Sequence, residues 1–268
     1  MDEAEATPRG AHHVQSLERG LAVIKAFGSG AAELTLSDVA RTTGLTRAAA
    51  RRFLLTLADL GYVRTDGKYF SLTARVLELG YAFLSGISLP EVAQPHLERL
   101  SAEVRESSSV SVLDGTEIVY VARVAVSRIM TVTIDVGTRF PAHATSMGHV
   151  LLAGLDAKAL AGYLEAARLE RLTTHTLTSP AALRTELLSV REQGWALVDQ
   201  ELEEGLRSVA APVHDRHGTV VAAVNVSTHA SRTSRESVRA DMVPPLLAAA
   251  ARIEADLAVA PPARARRG

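Results

Sequence analysis

A capped helix that stops at a glycine, a second helix that opens two residues later, and two short β-rich runs around Asp-Gly leave few folds open to residues 35–72. Thr35-Leu36-Ser37-Asp38 reads as a capping box, a hydroxyl at the N-cap with an acid three residues on. The helix it opens carries Leu36, Val39 and Ala40 and ends at Gly44. Thr46 is placed to cap the next helix, which stops at Gly61. YVRTDGKYFSL follows, with Asp66-Gly67 as a hairpin signal. Upstream, Leu17, Leu21, Ile24 and Phe27 recur at helical spacing before Gly28 to Gly30 stop that helix. Helix, helix, glycine turn, helix, hairpin is the order of a winged helix-turn-helix.

The third of these helices divides cleanly on a 100-degree wheel. Ala50, Phe53, Leu54, Leu57 and Leu60 form one apolar arc, while Arg47, Ala48, Arg51, Arg52 and Leu55 lie opposite. Arginine is a good helix former, and such a face can simply be solvated. The surrounding element order favours a helix for the DNA major groove, where guanidinium pairs bidentately with guanine and a small Ala48 permits close approach. Thr46, Arg47, Ala48, Arg51 and Arg52, with Arg64 and Lys68 of the hairpin, are the candidate DNA contacts. Charge is divided accordingly: residues 14–75 hold nine Lys/Arg against five Asp/Glu, and residues 76–260 hold 16 against 22.

The remaining length suffices for a second, larger domain. Residues 73–86 read as a helix linking the two parts, and Pro90 to Arg105 as another. SSSVSVLDGTEIVYVARV reads as two strands around Asp114-Gly115, and RIMTVTIDVG as a third. A helical section spans roughly Thr145 to Gln193; strands return in WALVDQ, LRSVAAPV and TVVAAVNVS; a last helix covers Ser237 to Val259. Strands joined by tight turns, with helices gathered in blocks, indicate an antiparallel α+β domain. The expected organisation is a tail over 1–13, a winged helix-turn-helix over 14–72, a linker helix over 73–88, an effector domain over 89–259 and a tail over 260–268.

Several classes are set aside. The chain contains no cysteine, so disulfides and thiolate chemistry are excluded, in keeping with a cytoplasmic location. MDEAEATPRGAH is not a signal peptide, and no run is apolar for about 18 residues, so no membrane is expected. Ser146 in HATSMGH lacks the G-x-S-x-G elbow. His143 and His149, or His214 and His217, lack helical metal-ligand spacing. Neither a catalytic residue, a cofactor nor a metal is assigned.

VQSLERGLAVIKAF, LTLSDVARTTGLTRAAARRFLLTLADLGYV, ESSSVSVLDGTEIVYVARV, RIMTVTIDVGTRFPAHATSMGHVLLA and VREQGWALVDQELEEGLRSVAAPVHD resemble the IclR-type transcriptional regulators. RRFLLTL, RIMTV and DQELEEGLRS bring the chain nearer to the members that govern the β-ketoadipate pathway. The resemblance implies a GAF-like effector domain, homodimers that pair into dimers of dimers on double-stranded operator DNA, RNA polymerase as a further partner, and a small aromatic or keto acid effector: protocatechuate, 4-hydroxybenzoate or β-ketoadipate. An enzyme with a fused DNA-binding module, and a carboxy-terminal domain that only oligomerises, are the competing readings.

The corner AHATSMG offers Thr145 and Ser146 hydroxyls and free N–H groups at a helix start, which suit a carboxylate. The resemblance places the effector cavity near this corner and the strands GLRSVAAPV and AAVNVS, so Arg207, Ser208, Asn225 and Ser227 are candidate polar contacts and Met147 an apolar wall. Each has a plainer role available: Thr145 as a cap, Met147 as core, Arg207 paired with Glu203 or Glu204. Arg123 and Arg128 are weighed lower, as exposed arginines are common on strands. Asp199, Glu201, Glu203 and Glu204 read most simply as a solvated connection.

Overall fold

The structure is a computed structural model that describes residues 13–28, 32–79, 89–126 and 134–259. The chain divides into two compact units, Met1–Phe83 and Leu84–Gly268.

In the first unit, α1 (Gln15–Ala26), α2 (Leu36–Thr43) and α3 (Arg47–Asp59) precede a hairpin of β2 (Val63–Thr65) and β3 (Tyr69–Leu72). The capping box forms: the Thr35 N–H and hydroxyl donate to Asp38 Oδ2 at 3.1 and 2.6 Å, and the Asp38 N–H donates back to Thr35 Oγ1. Those two Thr35 donors hold the Asp38 carboxyl below its usual range. Gly44 ends α2 at φ +67°, a left-handed conformation suited to glycine. The Thr46 hydroxyl caps α3 by accepting the Ala49 N–H. At the hairpin tip Asp66 Oδ1 accepts the N–H groups of Lys68 and Tyr69.

A short strand not evident from the sequence, β1 (Leu34–Thr35), adds to the hairpin and gives the order β1-β3-β2. Two residues are too few for a pattern to register. Val23, Phe27, Val39, Ala50, Leu54, Leu57, Val63 and Phe70 make the core. The apolar rows extend further on the wheel than in the molecule. Leu60, at the C-cap of α3, is 52% exposed, and Leu17 and Leu21 of α1 are 63% and 46% exposed. The core takes Val23, Ala26 and Phe27 from α1, and the Leu17–Leu21 row lies outside it. Of the expected linking helix, residues 74–76 form a 3-10 turn capped by Thr73, and residues 80–88 lie outside the described residues.

The second unit is built on one antiparallel sheet of six strands in the order β6-β5-β4-β9-β8-β7. These are β4 (Ser107–Asp114), β5 (Glu117–Val124), β6 (Arg139–Pro141), β7 (Ala196–Asp199), β8 (Leu206–His214) and β9 (Val220–His229). In the stretch read as a third strand, residues 127–133 lie outside the described residues and residues 136–137 form a turn. Just beyond it, β6 pairs with β5 on the edge opposite β4.

Alternation along β8 shows the two faces. Val209, Ala211 and Val213 join the core formed by α4 (Leu89–Val104) and α8 (Val243–Val259), whereas Ala210 joins the core under α5 (Ser146–Ala153), α6 (Ala157–Ala166) and α7 (Pro180–Gln193). On β9, Ala222, Val224 and Val226 belong to the first face and Ala223 to the second.

Strand β5 departs from simple alternation. Ala122 pairs with Val110 but Tyr120 pairs with Ser111, so Val121 is an extra residue, a β-bulge. Val121 and Ala122 both turn toward the α4/α8 core. Tyr120 and Arg123, three residues apart, consequently share the α5 face. A regular strand would send them to opposite faces.

Candidate functional site

The amino-terminal candidates lie on one accessible surface. Thr46, Arg47, Ala48, Arg51 and Arg52 are exposed along α3, opposite the buried Ala50, Leu54 and Leu57. Among the described residues no acid is paired with Arg47, Arg51 or Arg52, in contrast to Arg41, which meets Asp38 at 2.8 Å. On the hairpin, Arg64 Nε donates to Ser71 Oγ at 2.9 Å, and Lys68 Nζ lies 4.9 Å from the Tyr69 ring centroid. These cations have free donors on an accessible helix and wing, the arrangement that phosphate and base-edge contacts need.

The second site lies in the effector unit, between the start of α5 and the adjoining sheet face. Pro141 and the 3-10 turn Ala142–Ala144 lead into Thr145, whose hydroxyl caps α5 by accepting the Gly148 N–H at 3.0 Å. Helix geometry leaves the Ser146 and Met147 N–H groups without an intrahelical acceptor. Only glycine fits at 148, because a Cβ there would meet the Ala142 carbonyl oxygen at 2.0 Å. That close approach brings the first turn of α5 against the chain that precedes it.

Facing this corner is a narrow cleft that is nearly closed, with a cavity volume of only about 10 Å³, room for little more than one water, so an effector has to widen it on entry. Tyr120, Thr145, Ser146, Met147, Ser208, Asn225 and Ser227 are among its walls, with Val198, Leu202 and Leu206 completing the apolar part. The register explains the grouping: Ser208 stands opposite both Val198 and Ser227, on the same face as Asn225. Asn225 and Ser146 are almost wholly buried, yet Asn225 Oδ1 and Ser146 Oγ have no hydrogen-bond partner. Asn225 Nδ2 donates to Ser227 Oγ at 3.0 Å. Buried polar groups in this condition cost about 1–3 kcal/mol each, a cost that a ligand with oxygen functions relieves. Burial also pushes the Tyr120 phenol up to about 12, so it presents a neutral hydroxyl.

Six of the seven expected effector contacts thus line one cleft, and Arg207 is the exception. It alternates onto the α4/α8 face, where its Nε and one terminal nitrogen donate to the two Asp199 carboxylate oxygens at 2.9 Å. A further nitrogen donates to the Thr233 carbonyl. Its partner is the residue directly across β7–β8, and neither Glu203 nor Glu204 fills that role. The acidic connection is also less solvated than expected: the Glu201 carbonyl accepts the Thr176 hydroxyl at 2.7 Å, and burial lifts its carboxyl to about 7.

Tyr120 is the contact that sequence reasoning missed. Its signal was alternation in EIVYVARV, which the bulge conceals. His143 and His149 are buried in the packing: His149 Nε2 donates to the His143 carbonyl at 2.7 Å, and burial pushes its pKa down to about 4. Among the described residues no three His, Cys, Asp or Glu side chains converge to hold a metal, and no helix is long and apolar enough to cross a membrane.

Comparison with known proteins gives a consistent result. Residues 16–67 match the IclR helix-turn-helix domain, and residues 81–255 match the bacterial transcriptional regulator IclR C-terminal domain. The chain is 47% identical to the Pca regulon regulatory protein of Pseudomonas putida, over 87% of this chain and 81% of that protein. It is 39% identical to the p-hydroxybenzoate hydroxylase transcriptional activator of Acinetobacter baylyi, over 88% of each. Among solved structures, an IclR homolog from Microbacterium hydrocarbonoxydans complexed with 4-hydroxybenzoate superposes with a TM-score of 0.79 at 28% identity, covering 90% of this chain and 98% of that one.

Proposed function

The chain belongs to the IclR family of bacterial transcriptional regulators, and from that premise we propose that it controls genes of aromatic-acid catabolism by binding operator DNA in response to a small acid. The effector class is a hydroxylated aromatic acid such as protocatechuate or 4-hydroxybenzoate, or the ring-cleavage product β-ketoadipate. The Pca regulon regulator, the p-hydroxybenzoate hydroxylase activator and the 4-hydroxybenzoate complex support that choice.

The observation that carries the reading is the cleft at the start of α5. Ser146 and Asn225 hold buried oxygens without partners, Thr145, Ser208 and Ser227 add hydroxyls, and Met147 gives an apolar wall. A ring with oxygen functions matches that mixture. The operator half rests on Thr46, Arg47, Ala48, Arg51 and Arg52 for the major groove and on Arg64 and Lys68 of the wing. Two copies are needed to read a repeated operator, and the exposed row of Leu17 and Leu21 on α1 supplies an apolar surface for a homodimer. RNA polymerase and a dimer of dimers belong to the same reading.

The protein works here as a binder whose ligand favours one DNA-binding arrangement over another, since equal affinity for both would shift nothing. Calorimetry of the full chain against protocatechuate, 4-hydroxybenzoate and β-ketoadipate, with pyruvate and glyoxylate as controls, tests it. Saturable binding of one acid, recovered unchanged, is expected. No binding by any of the three removes the effector assignment, and turnover of the ligand would make the protein an enzyme.

A further inference from the structure

The extra residue in β5 places a cation on the effector face, and we propose that Arg123 is the group that selects a carboxylate in this cleft. Ser109 and Asn225 complete the polar row that orients it. The inference rests on the effector reading above and adds to it the direction in which the ligand lies.

The row follows from register. Arg123 stands opposite Ser109, and Ser109 opposite Asn225, so the three side chains cross β5, β4 and β9 on one face. Strands are about 4.8 Å apart, which puts the Arg123 and Asn225 backbones roughly 10 Å apart, with the guanidinium leaning between them. One Arg123 nitrogen donates to Ser109 Oγ at 3.2 Å. Its Nε is buried with no partner, and the same holds for Asn225 Oδ1 and for Ser111 Oγ, the next serine of β4 on this face. Tyr120 and Asn225 line the cleft, and Arg123 and Ser109 stand beside them on the same sheet face, just outside its walls.

A half-buried guanidinium with so few acceptors lacks compensation. Burial lowers its pKa, and Tyr120 and Asp135 oppose that effect through Coulombic interaction. A carboxylate is the ligand group that matches an arginine fork with two parallel N–H donors.

Two positive features therefore compete for the acid end of the ligand. The start of α5 offers at most about half a charge, and Thr145 already caps it. Arg123 offers a full, partly desolvated charge. The carboxylate goes to Arg123 and Ser109, and the ring's hydroxyl points to Ser146 and the first turn of α5. This is the reverse of the direction that a helix N-terminus alone would set.

The test compares 4-hydroxybenzoate with 4-hydroxybenzamide, which keeps the ring and hydroxyl but lacks the charge, by calorimetry on the full chain. The wild type is expected to prefer the acid by about tenfold or more. In Arg123→Gln the acid should lose about tenfold or more and the amide no more than about twofold, so the preference collapses. Arg123→Lys keeps the charge without the fork and should lose part of the acid preference; it carries the test if Arg123→Gln does not fold. Acid preference retained in full by either folded variant overturns the inference while leaving the effector site intact. Failure of the wild type to bind 4-hydroxybenzoate, protocatechuate and β-ketoadipate alike removes the effector reading itself, and this inference with it.

Discussion

Polar side chains are arranged in opposite ways in the two units. In α3 the arginines stand outside, and beneath them Ala50 and Leu54 are fully buried. In the effector unit, Ser109, Ser111 and Asn225 are buried on the α5 face of the sheet and Ser146 at the start of α5, and several of their atoms lack partners. An exposed cation has lost little hydration and can await a polyanion at small cost. A buried polar row is costly until something fills it, and a small ligand can be the missing partner. The difference separates cations held in solvent on α3 from polar groups held without partners in the interior.

The largest effect that tests this contrast comes from backbone packing. Gly148→Ala would drive a Cβ to 2.0 Å from the Ala142 carbonyl oxygen, and we expect a loss of about 3 kcal/mol or more in chemical denaturation, with effector binding lost too. Gly44→Ala meets nothing within 4 Å and strains only a left-handed φ, so about 1 kcal/mol is expected. Equal losses at the two glycines would mean that the start of α5 is no tighter than a surface turn.

Next in size is the exposed helix. Arg51→Ala should weaken operator binding by about 1–3 kcal/mol if it reads a base, with relaxed preference at one position, and leave the melting temperature almost unchanged. If it meets phosphate alone, all sequences should weaken alike and the salt slope should fall, as titrations at several ionic strengths will show. A large drop in melting temperature would place Arg51 in the structure rather than on the DNA.

The smallest effect concerns an interior acid. Burial is the main cause that lifts Glu201 from 4.5 to about 7, Glu186 and Asp199 adding repulsion against the opposing Leu177 N–H. The folded chain thus holds a proton that the unfolded chain releases first. The associated stability is complete below about 4.5 and declines as pH rises through about 7. Denaturation midpoints should fall across that window by less than ~1.4 kcal/mol per pH unit, and Glu201→Gln should flatten the slope. A wild-type profile without any slope would return Glu201 to the solvated connection that its sequence suggests.

The exposed arginine face of α3 was legible in the sequence, because the signals involved are local. A capping box, a left-handed glycine and a 3.6-residue period each act within one or two turns. They place Arg47, Arg51 and Arg52 outside whatever the rest of the chain does. Leu17, Leu21 and Leu60 mark the limit, since a wheel shows which residues share a side but not where the partner surface ends. In the effector unit, the corner Thr145-Ser146-Met147 and the strand pair holding Ser208, Asn225 and Ser227 were also recoverable, by resemblance and by polar residues in apolar strands.

Arg207 and Arg123 went the other way for a single reason. The face to which a strand residue points depends on register and on the count of residues before it, and one insertion inverts every later position. Regular alternation in β8 sends Arg207 to Asp199 and away from the cleft, whereas the extra Val121 in β5 puts Arg123 on the sheet face that carries Tyr120 and Asn225. The sequence by itself determined the two-part organisation, the helix-turn-helix and its outward arginines, because short-range sterics and hydrogen bonding suffice for those. Only the tertiary structure decided which arginine lies on the α5 face of the sheet, because that depends on hydrogen bonds between strands far apart in the chain.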